Sequence, residues 1–202
     1  MTRLGPALRI GLLAVACLLP AGATAQETPV PPGGDAARSL PDVARFGDGW
    51  SSARTAGLEV DTGVFREGAV AVYAGPAGAR VVAATLLVTQ DRVAIRRSWE
   101  AANDLFDNYS GELEYLPGRD DELDSVPPPP GCVEAKRIDG TARQLGIDTG
   151  IPLGITLCAA EPDLIVLAVA AGSVLGLTGY EASDAISSLM VTGNGEGTPV
   201  GG

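Results

Sequence analysis

The chain has 202 residues, of which 46% are hydrophobic and 19% charged, a composition typical of a globular protein. Its 25 acidic residues outnumber its 14 basic residues, and the net charge of −11 excludes the positive field that nucleic acids and anionic membranes attract. The absence of histidine excludes hydrolases with a histidine base and removes the commonest zinc ligand. We expect no nucleic-acid partner, no metal site and no cofactor.

The first 25 residues have the three parts of a secretory signal. Arg3 and Arg9 precede an apolar run at positions 10–19, and the small residues Ala23-Thr24-Ala25 follow. The apolar run is shorter than the roughly 20 residues that cross a bilayer. We therefore predict cleavage after Ala25, a secreted or extracytoplasmic location, and no transmembrane segment in the mature chain. The alternative is lipid attachment at Cys17.

Cleavage at this point would leave 177 residues with 25 acids and 12 bases, a net charge of −13. Two cysteines would remain, Cys132 and Cys158. An even pair of cysteines in an oxidising compartment predicts a disulfide bond. The alternative is a pair of buried, reduced thiols.

The mature chain begins with residues 26–40, which are rich in proline and glycine and predict a flexible spacer. A single folded domain is expected over 41–193, with Phe46 and Trp50 as its first apolar anchors. The last residues, 194–202, predict a flexible tail.

The first half of the domain predicts a hairpin followed by a helix. Valine and leucine are frequent at 69–74 and 80–88, and the turn-forming residues 75–78 lie between them. Thr89 is suited to begin a helix over 90–109, because apolar residues recur there at helical spacing.

The second half begins after an acidic, proline-rich stretch at 117–131, which predicts a surface loop. Short strands are expected near 134–138 and 143–147, with a turn at Asp139-Gly140. Strands at 153–160 and 164–171 predict a second hairpin. The order Thr178-Gly-Tyr-Glu181 is a capping box, and the apolar stripe after it predicts a final helix.

An internal repeat is the strongest organisational signal. The segment 55–63 recurs at 141–150 with one inserted residue, and in both copies a hairpin and a helix are predicted downstream. The copies would cover about 50–116 and 134–193. We therefore predict an α+β fold, a duplicated strand, hairpin and helix unit in which two helices pack on one face of an antiparallel sheet.

Each copy of the repeat contains Asp-Thr-Gly after an apolar pair, at Asp61 and at Asp148. This pattern resembles the catalytic loops of the pepsin-like and retroviral aspartic proteases. The resemblance implies that Asp61 and Asp148 share one proton to activate water, and such a dyad needs no histidine. The sequence departs from that family at the next position, which is Val64 or Ile151. The other interpretation is a pair of ordinary turns.

These observations predict a secreted or envelope-associated protein that acts by binding or as a structural part, and not by catalysis. The alternative is a hydrolase built on Asp61 and Asp148. The sequence does not indicate which protein or small molecule would be its partner.

Overall fold

The structure, a computed structural model, describes residues 34–58, 60, 63–89, 98–104, 106–107, 115–118, 123, 125–144, 147–160 and 163–192. The predicted signal peptide and the C-terminal tail lie outside these residues. The described part forms a seven-stranded antiparallel sheet with three helices, which supports the predicted α+β class. No helix in these ranges is both long enough and apolar enough to cross a bilayer.

The strands lie in the order β1-β2-β3-β7-β6-β5-β4. Every neighbouring pair is antiparallel, and β3 pairs with β7 at the centre of the sheet. Short 3-10 turns occur at Val43–Phe46 and Pro76–Gly78. The strands are β1 (Ser51–Gly57), β2 (Phe65–Ala74), β3 (Arg80–Val88), β4 (Tyr115–Pro117), β5 (Glu134–Gln144), β6 (Ile147–Ala160) and β7 (Leu164–Ala171). The helices are α1 (Gly34–Arg38), α2 (98–104 and 106–107) and α3 (Gly179–Val191).

Both predicted hairpins are present, as β2 with β3 and as β6 with β7. Part of the predicted 90–109 helix is present as α2, and the rest lies outside the described residues. The final helix is present as α3.

One face of the sheet, the front face, is covered by α2. Val82, Ile155 and Val169 lie in its buried cluster together with Ala102 and Phe106 of α2. Side chains alternate between the two faces along a strand, so the intervening residues point to the opposite side.

The opposite, back face is covered by α3 and by the N-terminal segment. Its buried cluster contains Val81, Val166 and Ile186, the last of which belongs to α3. The prediction that two helices pack on one face is therefore wrong, since α2 and α3 lie on opposite faces. The physical reason is that β3 is apolar on both sides, with every residue after Arg80 buried, and such a strand needs cover on both faces.

Residues 34–40 were expected to belong to a flexible spacer, but they pack against the back face. Ala36 is fully buried, and its carbonyl accepts a hydrogen bond from Thr85 Oγ1 at 2.7 Å. The Glu67 carboxylate accepts hydrogen bonds from the backbone N–H groups of Asp35 and Ala36, at the N-terminus of α1. The packed chain therefore includes Gly34, and the boundary at residue 41 was placed too late because these partners are distant in sequence.

The predicted turn at Asp139-Gly140 is absent, because β5 runs through both residues. Gly140 is needed inside the strand, since a Cβ there would collide with the carbonyl oxygen of Leu116 on β4.

Asp139 Oδ1 accepts a hydrogen bond from the Tyr180 N–H at 2.9 Å. The predicted capping box is also wrong, because Thr178 makes no side-chain cap and Asp139 serves the first turn of α3 in its place.

The two copies of the sequence repeat occupy different places in the sheet. Thr55 pairs with Ala71, which in turn pairs with Ala83 in the middle of β3. Thr141 pairs with Pro152, which lies beyond the last pairs that β6 makes with β7. The strand pairing therefore does not place the two copies of the repeated segment at equivalent positions in the sheet.

Candidate functional site

An arm formed by β5 and β6 projects from one end of the sheet. The strand β7 ends at Ala171, which pairs with Leu153, but β6 begins six residues earlier, at Ile147. Residues 141–144 of β5 and 147–152 of β6 therefore continue as a ribbon, which extends beyond β7 by four residues of β5, or about 13 Å, and β4 pairs with β5 at the base of the ribbon. We call this ribbon the arm, and the end of the sheet from which it projects the arm end.

Asp148, one of the two predicted catalytic residues, lies in a bulge of the arm. The pairing changes from Ala142 with Ile151 to Arg143 with Asp148, which leaves Thr149 and Gly150 as extra residues. Asp148 Oδ1 accepts a hydrogen bond from the Gly150 N–H at 2.9 Å, and Gly150 takes a positive φ of 65°. The exposed Asp148 carboxylate thus stabilises the bulge.

Thr149 completes the bulge. Its Oγ1 donates to the Ala142 carbonyl at 2.6 Å and accepts from the Ile151 N–H at 3.3 Å. These local bonds occupy backbone groups that the arm would otherwise present unpaired to water.

Asp61, the other predicted catalytic residue, lies outside the described residues. Its neighbour Val60 packs beside Gly68 on β2. Successive pairs across β3, β7 and β6 place Gly68 at the same height in the sheet as Glu134 of β5. Asp148 pairs instead with Arg143 of β5, at the arm end. Glu134 and Arg143 are nine residues apart on β5, or about 30 Å along the strand. The structure therefore does not bring Val60 near Asp148.

The arm end gathers most of the exposed apolar side chains of the described residues. Six large hydrophobic residues in the described part of the chain are exposed to solvent. Two of them, Ile147 (70% exposed) and Ile151 (42% exposed), lie on the arm itself. Leu116 pairs with Thr141 at the base of the arm. Five of the six lie at this end, and the exception at the opposite end is Val133. The five are Leu116, Ile147, Ile151, Leu175 and Leu177.

A tight turn after β7 presents two of these leucines. Val174 and Leu177 exchange both backbone hydrogen bonds at 2.9 Å, and Leu175 and Gly176 form the turn between them. Leu175 has a positive φ of 55°, a conformation that leucine rarely adopts. Strained backbone conformations cluster at functional sites, so this turn is a candidate part of such a site.

A buried ion pair joins β5 to the helix α3. Arg137 Nε lies 2.9 Å from both carboxylate oxygens of Asp184 on α3, and the Arg137 side chain is only 3% exposed. Its two terminal nitrogens donate to the carbonyls of Val126 and Pro127. The predicted surface loop is thereby tied to the outer strand β5 and to α3.

The two remaining cysteines are paired as predicted. The Sγ atoms of Cys132 and Cys158 are 2.04 Å apart and their Cα atoms 5.7 Å apart, the geometry of a disulfide bond. The bond joins the end of the 125–131 segment to β6, close to the ion pair of Arg137.

The front face carries a second candidate surface that the sequence did not indicate. Arg54 on β1 and Arg80 at the start of β3 are both half-buried. A small apolar cavity of about 30 Å³ lies on the same face, between the sheet and α2, with Ala84, Phe106 and Leu167 in its lining. Neither feature is visible in the sequence, because each depends on which residues the ladder sets side by side.

No group of three or more potential metal ligands occurs within the ranges that the structure describes. Only Tyr73 there has a clearly displaced pKa, and its hydroxyl is buried against the Pro41 carbonyl. Comparison with protein-family models, curated proteins and solved structures finds no match for this chain.

Proposed function

We propose that this protein acts outside the cytoplasm by binding another protein through the arm end, and not by catalysis. The observation that carries the proposal is the gathering of five of the six exposed large apolar residues at one end of the described fold. Single exposed hydrophobic residues are ordinary, but a concentration of them marks interaction sites. The extracytoplasmic location rests on the signal sequence and on the cysteine pair at disulfide distance.

The geometry of the arm favours recognition by side chains over the addition of a partner strand. Thr149 and Asp148 occupy the N–H groups of Ile151 and Gly150, so these groups are not offered to another strand. Ile147 and Ile151 lie on β6 beyond the end of β7 and are 70% and 42% exposed, so a partner can bury them at little cost in reorganisation.

The hydrolase alternative has less support. An aspartic dyad needs carboxylates about 3 Å apart. Asp148 lies at the arm end, whereas Val60, the described neighbour of Asp61, lies about 30 Å away along the strands. We expect the purified protein to hydrolyse no unfolded protein substrate at acid pH. Hydrolysis that Asp61→Asn or Asp148→Asn abolishes would overturn the proposal.

Site-directed photocrosslinking in the native host tests the binding proposal. A photoreactive residue at position 147 or 175 should form a discrete adduct with one extracytoplasmic protein, and mass spectrometry identifies it. The matched control is position 133, whose exposure of 59% lies between the 70% of Ile147 and the 39% of Leu175, but which lies at the opposite end of the sheet. The same purified material also tests the predicted cleavage after Ala25. Mass spectrometry should find Gln26 as the first residue, whereas a lipid on Cys17 would support the alternative of a lipid-anchored protein.

Ile151→Ser should lower the yield of the adduct formed from position 147, because it removes a neighbouring apolar contact. Equal adducts from positions 147, 175 and 133, or none from any of them, would contradict a partner site at the arm end.

We also propose a restricted form of the duplication hypothesis. The order β1-β2-β3 followed by β7-β6-β5 consists of two three-stranded meanders that meet at β3 and β7, which supports a duplicated set of strands. The helices do not follow this relation, since α2 and α3 lie on opposite faces.

A further inference from the structure

Two arginines lie on the front face close to the arm end. Arg54 of β1 pairs with Val72 of β2, and Val72 is buried in the cluster of the front face. Arg80 of β3 pairs with Ala74, two residues further along β2. Both arginines therefore point to the front, because paired residues and alternate residues of one strand share a face. Two strand spacings and two residues along the strand separate their Cα atoms by about 12 Å.

The two exposed isoleucines of the arm point to the same side. Ile151 pairs with Ala142, which packs against the cluster of the front face. Ile147 pairs with position 144, two residues after Ala142 on β5, and therefore lies on the same face as Ile151. The front of the arm end thus presents both cationic and apolar side chains.

The arginines and the arm are close enough for one partner to contact both. Arg80 pairs with Ala171, and Ala171 pairs with Leu153 on β6. Ile151 lies two residues beyond Leu153, so its Cα atom is also about 12 Å from that of Arg80. An ordinary protein interface covers about 800 Å² of each partner, or a patch about 30 Å across. Such a patch centred on Arg80 reaches both Arg54 and Ile151.

These arginines differ from most other basic side chains of the described residues. Four others each pair with a carboxylate, namely Arg38, Arg66, Lys136 and Arg137. Neither Arg54 nor Arg80 contacts a carboxylate in the described part of the chain, and Arg80 donates only to the Ala79 carbonyl. Both side chains are half-buried, so water screens them less than it screens charges on an open surface. A carboxylate from outside the chain would therefore pair with them favourably.

We propose that the partner of the arm end carries an acidic segment, whose Asp or Glu side chains pair with Arg54 and Arg80 while its apolar residues cover Ile147 and Ile151. This inference rests on the proposed function and adds the chemistry of the partner. A protein segment fits better than a nucleic acid, an acidic polysaccharide or an anionic membrane, because the net charge of −11 repels a dense array of negative charges. One or two carboxylates on a protein meet mainly the local field of the two arginines.

The adduct formed by a photoreactive residue at position 147 provides the test. Arg54→Gln with Arg80→Gln should lower the yield of this adduct by about tenfold when the protein is expressed at a low level, because charge-assisted hydrogen bonds are lost. Arg45→Gln is the matched control, since Arg45 is also half-buried but lies in the 3-10 turn that packs on the back face. It should leave the yield unchanged. Thermal melts establish that each variant is folded.

A photoreactive residue at position 53, an exposed site beside Arg54, tests whether one partner makes both contacts. It should form an adduct with the same protein as position 147 does. Mass spectrometry should map the cross-linked peptide to a segment with Asp or Glu within a few residues of the cross-link. Arg80→Glu should abolish the position-147 adduct, and a change of the mapped acidic residue to Arg should restore it.

A position-147 adduct of equal yield in the parent and in Arg54→Gln with Arg80→Gln would overturn this inference and leave the proposed function intact. The absence of any adduct from position 147 would contradict the proposed function and, with it, this inference. A cross-linked segment without acidic residues, or a polysaccharide or lipid in place of a protein, would overturn the inference alone.

Discussion

At the residue scale, Tyr73 shows how one buried polar group secures the N-terminal segment. Its hydroxyl donates to the Pro41 carbonyl at 2.6 Å, and its ring lies 4.8 Å from that of Phe46. Burial, together with the negative charge of Asp42, raises the pKa of Tyr73 from 10.0 to about 12. The segment that directly follows the predicted spacer is thus held by a hydrogen bond between residues 32 positions apart in sequence.

The raised pKa predicts a dependence of stability on pH. Because the pKa is higher in the folded state, the contribution of Tyr73 is fully present below pH 10 and is lost as the pH rises through about 12. Tyr73→Phe should cost about 1 kcal/mol of unfolding free energy at pH 9, because a buried hydrogen bond is removed. Urea denaturation at a series of pH values should show the difference between parent and variant shrinking above pH 10. A constant difference would contradict this assignment.

At the element scale, the helix α3 is positioned by two neighbouring strands, β5 and β6. Asp139 on β5 caps its first turn, and Gly154 on β6 allows close approach, since a Cβ there would collide with the Gly179 carbonyl. Thr156 Oγ1 also bonds Ser183 and Asp184 of the helix, at 2.8 and 2.7 Å. The start of α3 is therefore determined by contacts with β5 and β6, and Thr178, which precedes it, plays no capping role.

Asp139→Ala should lower the unfolding free energy by about 1 kcal/mol, because the Tyr180 N–H at the N-terminus of α3 loses its acceptor. Thr178→Ala is the matched control and should change it by less than about 0.5 kcal/mol, because the Thr178 side chain makes no cap bond. Denaturant titration of both variants measures the difference. A larger loss from Thr178→Ala than from Asp139→Ala would show that the capping box operates after all.

At the scale of the whole molecule, the segment that precedes β5 is attached to the sheet at two points. The disulfide between Cys132 and Cys158 and the contacts of Arg137 with Val126 and Pro127 hold this segment against β5 and β6.

Removal of the disulfide tests how strongly this attachment contributes to stability. Cys132→Ala with Cys158→Ala should lower the unfolding free energy by about 3 kcal/mol, since the bond closes a loop of 26 residues. A reductant should not change the unfolding free energy of the double variant. The parent, when it is unfolded and refolded in the presence of reductant, should have an unfolding free energy close to that of the variant. Equal denaturation midpoints for parent and variant would contradict a stabilising disulfide.

The sequence by itself determined the α+β class, both hairpins, the final helix and the pairing of Cys132 with Cys158. These features follow from local periodicity and from the count of cysteines, which need no knowledge of distant neighbours. The same local rules predicted a turn at Asp139-Gly140 and a free segment at 34–40. Both predictions are wrong because Leu116, Glu67 and Thr85 reach those residues from elsewhere in the chain.

Only the tertiary structure decided the surfaces on which the functional proposals rest. The arm exists because β6 begins six residues before its pairing with β7, a mismatch of strand lengths that no periodicity reveals. Arg54 and Arg80 are 26 positions apart in sequence and become neighbours only through the register of β1, β2 and β3. Asp61 and Asp148 look alike in sequence, yet Asp148 forms a bulge in the arm, about 30 Å along the strands from Val60. Local sequence specifies strands and turns, whereas strand order and register specify which side chains meet.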